Sequence, residues 1–303
     1  MTAEALAAIL RRSPAILLDF DGPVCSVFAG YPAPQITDEL RSLVVDLVDE
    51  LPAGLEGVSS PHEFLPASAE ISPELARHVE DALRTAEIKA VESATPTPGV
   101  EEFLAACKDA GRQLAIVSNN TGASVSAYLA RTGLTRYVQH IEARDPSDAG
   151  LMKPHPYLIE QAAQALRTTP VRCTLIGDQT TDVRAAKAIG ASSIGYANKP
   201  GKAEDLTVAG ADVIIAQIEV EVRVAQSHRV SVDADPRVLG REHTVAPETV
   251  DRLAFGDGHQ PCTRVPWRSI PRPLLEGIDQ RVLGEFFGEA DITHPTNEAA
   301  DQA

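Results

Sequence analysis

Two aspartates one residue apart, Asp19 and Asp21, stand at the end of the apolar run Ala15-Ile16-Leu17-Leu18 and directly before Gly22-Pro23. Such a run suits a strand buried on both faces of a parallel sheet, and Gly-Pro breaks it. Strand alternation sets the two carboxylates on the same side. Neighbouring carboxylates resist ionising together. A bound divalent cation relieves that repulsion, and hard oxygen ligands suit magnesium, Mg2+. An acidic turn after a strand accounts for the pair equally well, so the remainder of the chain decides.

Two further apolar runs end in polar residues. Residues 112–117 lead into Ser118-Asn119-Asn120, and residues 171–176 into Gly177-Asp178, with Asp182 four positions on. Lys153 lies between them, in Gly150-Leu151-Met152-Lys153-Pro154-His155-Pro156. In open parallel sheets, sites form at the carboxyl ends of strands, where the strand order reverses. Each feature alone has an ordinary explanation. Ser118-Asn119 suits a helix N-cap, Lys153 a surface position, Gly177-Asp178 a turn, and Asp182 the first turn of a helix. The full set, in this order at successive strand ends, is much harder to obtain by chance.

The elements that must position these residues follow from periodicity. Residues 3–12 read as a short amphipathic helix. Helical spacing recurs over residues 38–51 and again from the Ser72-Pro73-Glu74 start signal to about residue 91. Residues 52–69 are loop-rich with partial helix, and no strand pattern occurs over residues 35–94. Helices are expected over residues 100–110, 123–132, 156–166 and 181–189, closed by glycines at 111, 133 and 190 in three cases. Short strands are expected over residues 138–143, 193–196 and 211–215. Strands alternating with helices of this length indicate right-handed βαβ units. The expected fold is α/β: a Rossmann-like parallel sheet with helices on both faces, a small helical cap inserted after the first strand, and an irregular C-terminal extension. The expected division is a core of residues 1–27 and 95–218, a cap of 28–94 and an extension of 219–303.

The chain has 303 residues, 44% of them hydrophobic and 23% charged, which is enough to bury a sizeable core. A formal charge of −16 argues against nucleic-acid or anionic-membrane partners, since both need clustered Lys and Arg. No apolar run approaches the roughly 20 residues of a membrane span, and no signal sequence is expected. The four cysteines, Cys25, Cys107, Cys173 and Cys262, form no CxxC pair, so a reduced, cytoplasmic setting is expected.

The stretches DFDGPV, VSNN, MKPHP and IGDQTTD stand where the four motifs of the haloacid dehalogenase-like hydrolase superfamily stand. The chain resembles that superfamily, and within it the phosphoglycolate phosphatase-like branch, over residues 15–218. The strandless insertion matches the cap of that branch in position. The resemblance implies Asp19 as nucleophile, forming an aspartyl-phosphate. It implies Asp21 as general acid toward the leaving alcohol and then as base toward water, a role that needs a raised pKa. Magnesium would be held by the Asp19 carboxylate, the Asp21 backbone carbonyl and Asp178, with Asp182 a further ligand or an orienter of the others. The Ser118 hydroxyl and the Asn119 N–H would grip phosphate oxygens, and Lys153 would neutralise charge. Dehalogenases of the superfamily lack an acid at the Asp21 position, because a departing halide needs no proton, so Asp21 favours phosphate chemistry. Gln179 departs from the pattern, where Ser is more usual.

The expected function is therefore magnesium-dependent hydrolysis of a small phosphorylated metabolite. Competing readings are a mutase or pyrophosphatase using the same aspartates, or a catalytically silent scaffold whose tail binds a protein partner of unknown identity. Within the cap, Arg41, His62, Arg77 and Lys89 are candidate substrate contacts, though each also reads as a solvated helix residue, and His155 reads as loop structure. In the extension, Leu253-Ala254-Phe255-Gly256-Asp257-Gly258-His259-Gln260-Pro261-Cys262 is similar to the cysteine-ligand loop of haem-thiolate monooxygenases. It lacks that family's usual histidine and glycine around the cysteine, and fewer than ninety residues cannot build a haem pocket. It reads as a degenerate remnant or a chance likeness.

Overall fold

A computed structural model describes residues 3–218. The expectations for the extension, including the haem-like loop and Cys262, lie outside the described residues. Helix α1 (Ala3–Arg12) precedes strand β1 (Ala15–Leu18), whose four residues are all buried. A two-residue strand, β2 (Cys25–Ser26), follows, and then four helices: α2 (Ala33–Val48), α3 (Ala53–Glu56), α4 (Pro61–Ile71) and α5 (Pro73–Glu92). Strand β3 (Thr95–Pro96) pairs antiparallel with β2, so a two-stranded ribbon closes the base of this helical segment. The ribbon was not expected, and the insertion therefore follows β2 and not β1 directly.

The chain then alternates strand and helix. Helix α6 (Val100–Asp109) leads into β4 (Gln113–Ser118), α7 (Gly122–Thr132) and β5 (His140–Ala143). Helix α8 (Tyr157–Ala165), β6 (Cys173–Gly177), α9 (Thr180–Ala188), β7 (Ser192–Tyr196), α10 (Lys202–Ala209) and β8 (Val213–Ile215) complete it. The six long strands form one parallel sheet in the order β5-β4-β1-β6-β7-β8. Strand β1 lies between β4 and β6, so the order reverses beside it, at the switch point where such sheets open a crevice.

Strand alternation divides the core between the two faces. Ile16, Leu18, Leu114, Ile116 and Ile176 pack with Leu6 and Leu10 of α1, Phe103 of α6 and Val125 of α7. Ala15, Leu17, Ala115, Val117 and Leu175 pack on the other face with Leu158 and Ile159 of α8 and Ala185 of α9. Strand β1 is apolar throughout because neither of its faces meets water, whereas β5, at the sheet edge, is half-buried and carries His140 and Glu142.

Three helical expectations change. Helix α2 begins at Ala33, not residue 38, because Pro32 caps it in extended geometry and Pro34 sits in its first turn, where a missing N–H costs nothing. Helix α4 runs through a segment expected to be mostly loop, with Pro61 in its first turn and Pro66 inside it. Helix α10 was not anticipated: it is rich in polar residues and buries only Leu206.

Candidate active site

The carboxyl ends of β1, β4 and β6 converge on Lys153. Its side chain is buried, and Nζ lies 2.9 Å from Asp19 Oδ1, 2.6 Å from Asp182 Oδ1 and 2.8 Å from the Val117 carbonyl it donates to. One cation thus ties the residue after β1 to the end of β4 and the first turn of α9. The Asn119 side chain fixes the lysine's backbone: Lys153 N–H donates to Asn119 Oδ1 at 2.8 Å, and Asn119 Nδ2 donates to the Lys153 carbonyl at 3.0 Å. Burial alone would discharge Lys153, but Asp182 and Asp19 more than offset this and raise its pKa.

Asp19 continues the pairing of β1 with β6, its N–H donating to the Ile176 carbonyl at 2.9 Å. Its Oδ1 also accepts the Phe20 N–H at 2.7 Å. Phe20 points the other way, into the core, edge-on to Tyr128 at 5.4 Å, which anchors the turn between the two aspartates. Burial, with Asp182 and Asp178 nearby, lifts the Asp19 carboxyl to about 8 despite Lys153. Asp21 is half-buried and its Oδ1 accepts the Val27 N–H at 2.9 Å. Burial raises its pKa too, opposed by that hydrogen bond and by the charge of His62.

Gly22 follows in the left-handed region at φ +108, and a Cβ there would lie 2.6 Å from Asp178 Cγ. Only glycine lets the turn after β1 pass this close to the aspartate that follows β6. Asp178 is buried, with its pKa raised by desolvation against the pull of Lys202. Its Oδ2 pairs with Lys202 Nζ and accepts from Asn198 Nδ2 at 3.3 Å, while its Oδ1 is buried with no hydrogen-bond partner. Asp182 Oδ2 accepts the Gln179 N–H at 2.9 Å and so starts α9, while its Oδ1 faces Lys153 without hydrogen-bond alignment. Gln179 thus contributes through its backbone.

Carboxylate oxygens of Asp19, Asp178 and Asp182 lie within 4.8 Å of one another, all on buried residues. The Asp21 carboxylate is not part of that group among the described residues. Three buried carboxylates that share only two lysines, with an unpartnered Asp178 oxygen and Asp19 still raised to about 8, fit a hard divalent cation well. Ser118 is fully buried; its hydroxyl donates to Asn120 Oδ1 and accepts the Asn120 N–H, both at 3.1 Å. The N-cap of α7 is Thr121, which accepts from Ser124 N–H at 3.2 Å, so capping does not explain Ser118-Asn119.

Several partners were missed from sequence. Lys202 and Asn198 reach Asp178 from beyond β7. The signal available was that β7, like its neighbours, ends in a polar stretch. Among the cap candidates, Arg41 pairs with Asp38 of its own helix at 2.6 Å, Arg77 is exposed, and Lys89 stacks over the Tyr31 ring at 4.1 Å. His62 is different: it is half-buried and meets buried Glu87 at 3.0 Å. His155 is loop structure, its Nδ1 accepting the Tyr157 N–H ahead of α8.

The haloacid dehalogenase-like hydrolase family model matches residues 59–196, a span containing Ser118, Asn119, Lys153, Asp178 and Asp182. Over that span the chain is similar to the haloacid dehalogenase-like hydrolase family. Its relatives are those of the phosphoglycolate phosphatase-like branch. It is 36% identical over 126 residues to a plasmid-encoded phosphoglycolate phosphatase of Cupriavidus necator, a match covering 40% of this chain and 52% of that one. The chain spans about half the length of the curated relatives it matches. CbbY of Rhodobacter sphaeroides, solved with phosphate, superposes with TM-score 0.52 at 19% identity, over 68% of this chain and 95% of that one. A haloacid dehalogenase-like hydrolase of Streptococcus pneumoniae gives 0.52 at 18%, over 70% and 97%. At these identities the solved structures establish a shared fold. The match begins at residue 59 and does not include Asp19 or Asp21; Asp19 reaches the acidic group through its position after β1 and its contact with Lys153. Among the described residues no helix is long and apolar enough to cross a membrane.

Proposed function

We propose that this chain is a member of the haloacid dehalogenase-like hydrolase superfamily and a magnesium-dependent phosphatase of a small phosphomonoester, acting through an aspartyl-phosphate on Asp19. The observation carrying this reading is Lys153, buried between Asp19 and Asp182 at 2.9 and 2.6 Å, beside the Asp19, Asp178 and Asp182 cluster. Asp19 and Asp178 carboxylates and the Asp21 carbonyl would hold magnesium, with Asp182 a further ligand or, through Lys153, a positioner. When bound, magnesium supplies positive charge to the phosphoryl oxygens and to Asp19.

Asp19 Oδ attacks phosphorus in line and the P–O bond to the alcohol breaks. Asp21, whose pKa is raised by burial, gives its proton to the departing alkoxide. Asp21, now ionised, takes a proton from water as that water attacks phosphorus and releases Asp19. Lys153 balances charge on Asp19 and on the phosphoryl oxygens throughout. The Ser118 hydroxyl and Asn119 N–H bind those oxygens. Removing one such donor typically costs about 3–4 kcal/mol of transition-state stabilisation. Three buried cysteines among the described residues, Cys25, Cys107 and Cys173, form no disulfide, consistent with a reducing, cytoplasmic setting. Helices α2–α5 would act as the cap over this site, with the core before residue 28 and after 94.

The test is phosphate release from a panel of phosphomonoesters with and without magnesium. The panel includes 2-phosphoglycolate and xylulose 1,5-bisphosphate, the ligands named for relatives and structural neighbours. Release that needs magnesium is expected. No release from any member would refute hydrolysis, and isomerised sugar phosphate without free phosphate would point to a mutase.

A further inference from the structure

Helix α5 reaches the phosphate-gripping turn through a buried charge cluster. Glu80 and Glu87 lie seven positions apart on α5, hence on one face. Arg144, the residue after β5, meets both: Nε donates to Glu80 Oε2 at 2.6 Å, Nη2 to Glu80 Oε1 at 3.2 Å, and Nη1 to Glu87 Oε1 at 2.6 Å. The side chains of Arg144, Glu80 and Glu87 are only 0, 5 and 0% exposed. His62 of α4 approaches the same Glu87 oxygen at 3.0 Å.

Burying such a cluster costs several kcal/mol per ion in desolvation, and apolar residues of similar volume would hold two elements together at least as well. What apolar residues cannot do is hold backbone polar groups, and this cluster holds two consecutive peptide units of the turn after β4. Arg144 Nη1 donates to the Asn119 carbonyl at 2.7 Å. Glu87 Oε2 accepts the Thr121 N–H at 2.8 Å. A peptide unit is planar, so holding the Asn119 carbonyl also aims the Asn120 N–H on its far side. That N–H donates to Ser118 Oγ at 3.1 Å. With one lone pair of Oγ committed, the Ser118 hydroxyl proton is left to point elsewhere: at Asn120 Oδ1 here, at a phosphoryl oxygen when one is bound.

We propose that Arg144 and Glu87 are positioning residues that set the phosphate-binding turn, and through it the Ser118 hydroxyl, from the inserted helix α5. This rests on the phosphatase reading above. The inserted helices then do more than cover the site. They hold the backbone that grips the group common to every substrate, so disturbing α5 weakens phosphate binding whatever the leaving alcohol.

Two full-length variants test this. Arg144→Met removes the guanidinium alone, takes from buried Glu80 the hydrogen bonds that Arg144 gives it and leaves Glu87 with His62 and the Thr121 N–H, so its folding is at risk. The triple change Glu80→Leu, Glu87→Gln and Arg144→Met replaces the cluster with neutral side chains, keeps an acceptor for Thr121 and is expected to fold, as such replacements commonly do. For it, a melting temperature near the parent's is expected. The inhibition constant for inorganic phosphate and KM should both rise about tenfold or more, as expected when an aimed donor is lost, with kcat falling less. Calorimetric titration with inorganic phosphate in magnesium should show the same loss without turnover. A folded triple variant with unchanged phosphate affinity, KM and kcat overturns the inference and leaves the cluster a structural joint. A parent protein that neither binds nor releases phosphate overturns the phosphatase reading itself, and the wild-type control reveals that first.

Discussion

Asp19→Asn should abolish activity in magnesium and make the metal-free protein more stable, by an amount that grows with pH. The Asp19 carboxyl is carried from 3.8 to about 8, first by burial and then by Asp182. A carboxyl raised in the folded state binds more protons there than when unfolded. Its favourable contribution is complete below 3.8 and is lost as the pH rises through about 8. The slope is about 1.4 kcal/mol per pH unit, which sets a ceiling of roughly 6 kcal/mol for the ionised group. Asparagine does not titrate and keeps an acceptor for the Phe20 N–H, but it gives up the charge pairing with Lys153 at 2.9 Å. A net gain of about 1–3 kcal/mol near pH 8 is expected, shrinking toward zero near pH 4. At about 2–4 °C per kcal/mol, this is readable by thermal melts in a chelator from pH 5 to 9. Magnesium, by neutralising the cluster, should close the gap, while phosphate release should fall at least about a thousandfold. A stability difference equal at pH 5 and pH 8.5, or a loss at both, would refute the electrostatic reasoning.

The metal reading makes its own demands. In Asp178→Asn the unpartnered Oδ1 remains but the charge is gone, so the magnesium needed for half-maximal activity should rise about 10–100-fold; an unchanged requirement in a magnesium titration would remove Asp178 from the ligand set. Gly22→Ala places a methyl 2.6 Å from Asp178 Cγ at φ +108. It should cost about 2–4 kcal/mol in urea unfolding and lower activity at fixed magnesium. A variant of parental stability would show that β1 and β6 do not need this approach.

The strands that carry the candidate site were readable because burial on both faces keeps them mostly apolar, with Gln113, Ser118 and Thr174 as the polar residues within them. Ala15–Leu18, Gln113–Ser118 and Cys173–Gly177 all ended within a residue or two of expectation. The helices of the insertion were less readable. Prolines at 32, 34, 61 and 66 resemble turn punctuation in sequence, yet most serve as caps or first-turn residues where the missing N–H is harmless. Strands β2 and β3, two residues each, are too short for any periodicity. His62 read as a solvated helix residue because its partner, Glu87, lies 25 positions away and is itself buried.

Residue types and their order along the chain were enough to determine the α/β alternation and the strand ends, and to single out as candidates the seven polar residues Asp19, Asp21, Ser118, Asn119, Lys153, Asp178 and Asp182. Local rules suffice there, since a strand's burial and a turn's chemistry depend on neighbours in sequence. Tertiary structure alone decided the rest. It placed Lys153 between Asp19 and Asp182, brought Lys202 onto Asp178, and set Arg144 between two glutamates 64 and 57 positions away. A buried charge is tolerated only where its partners converge in space, and no spacing along the chain encodes which distant carboxylate will be the partner.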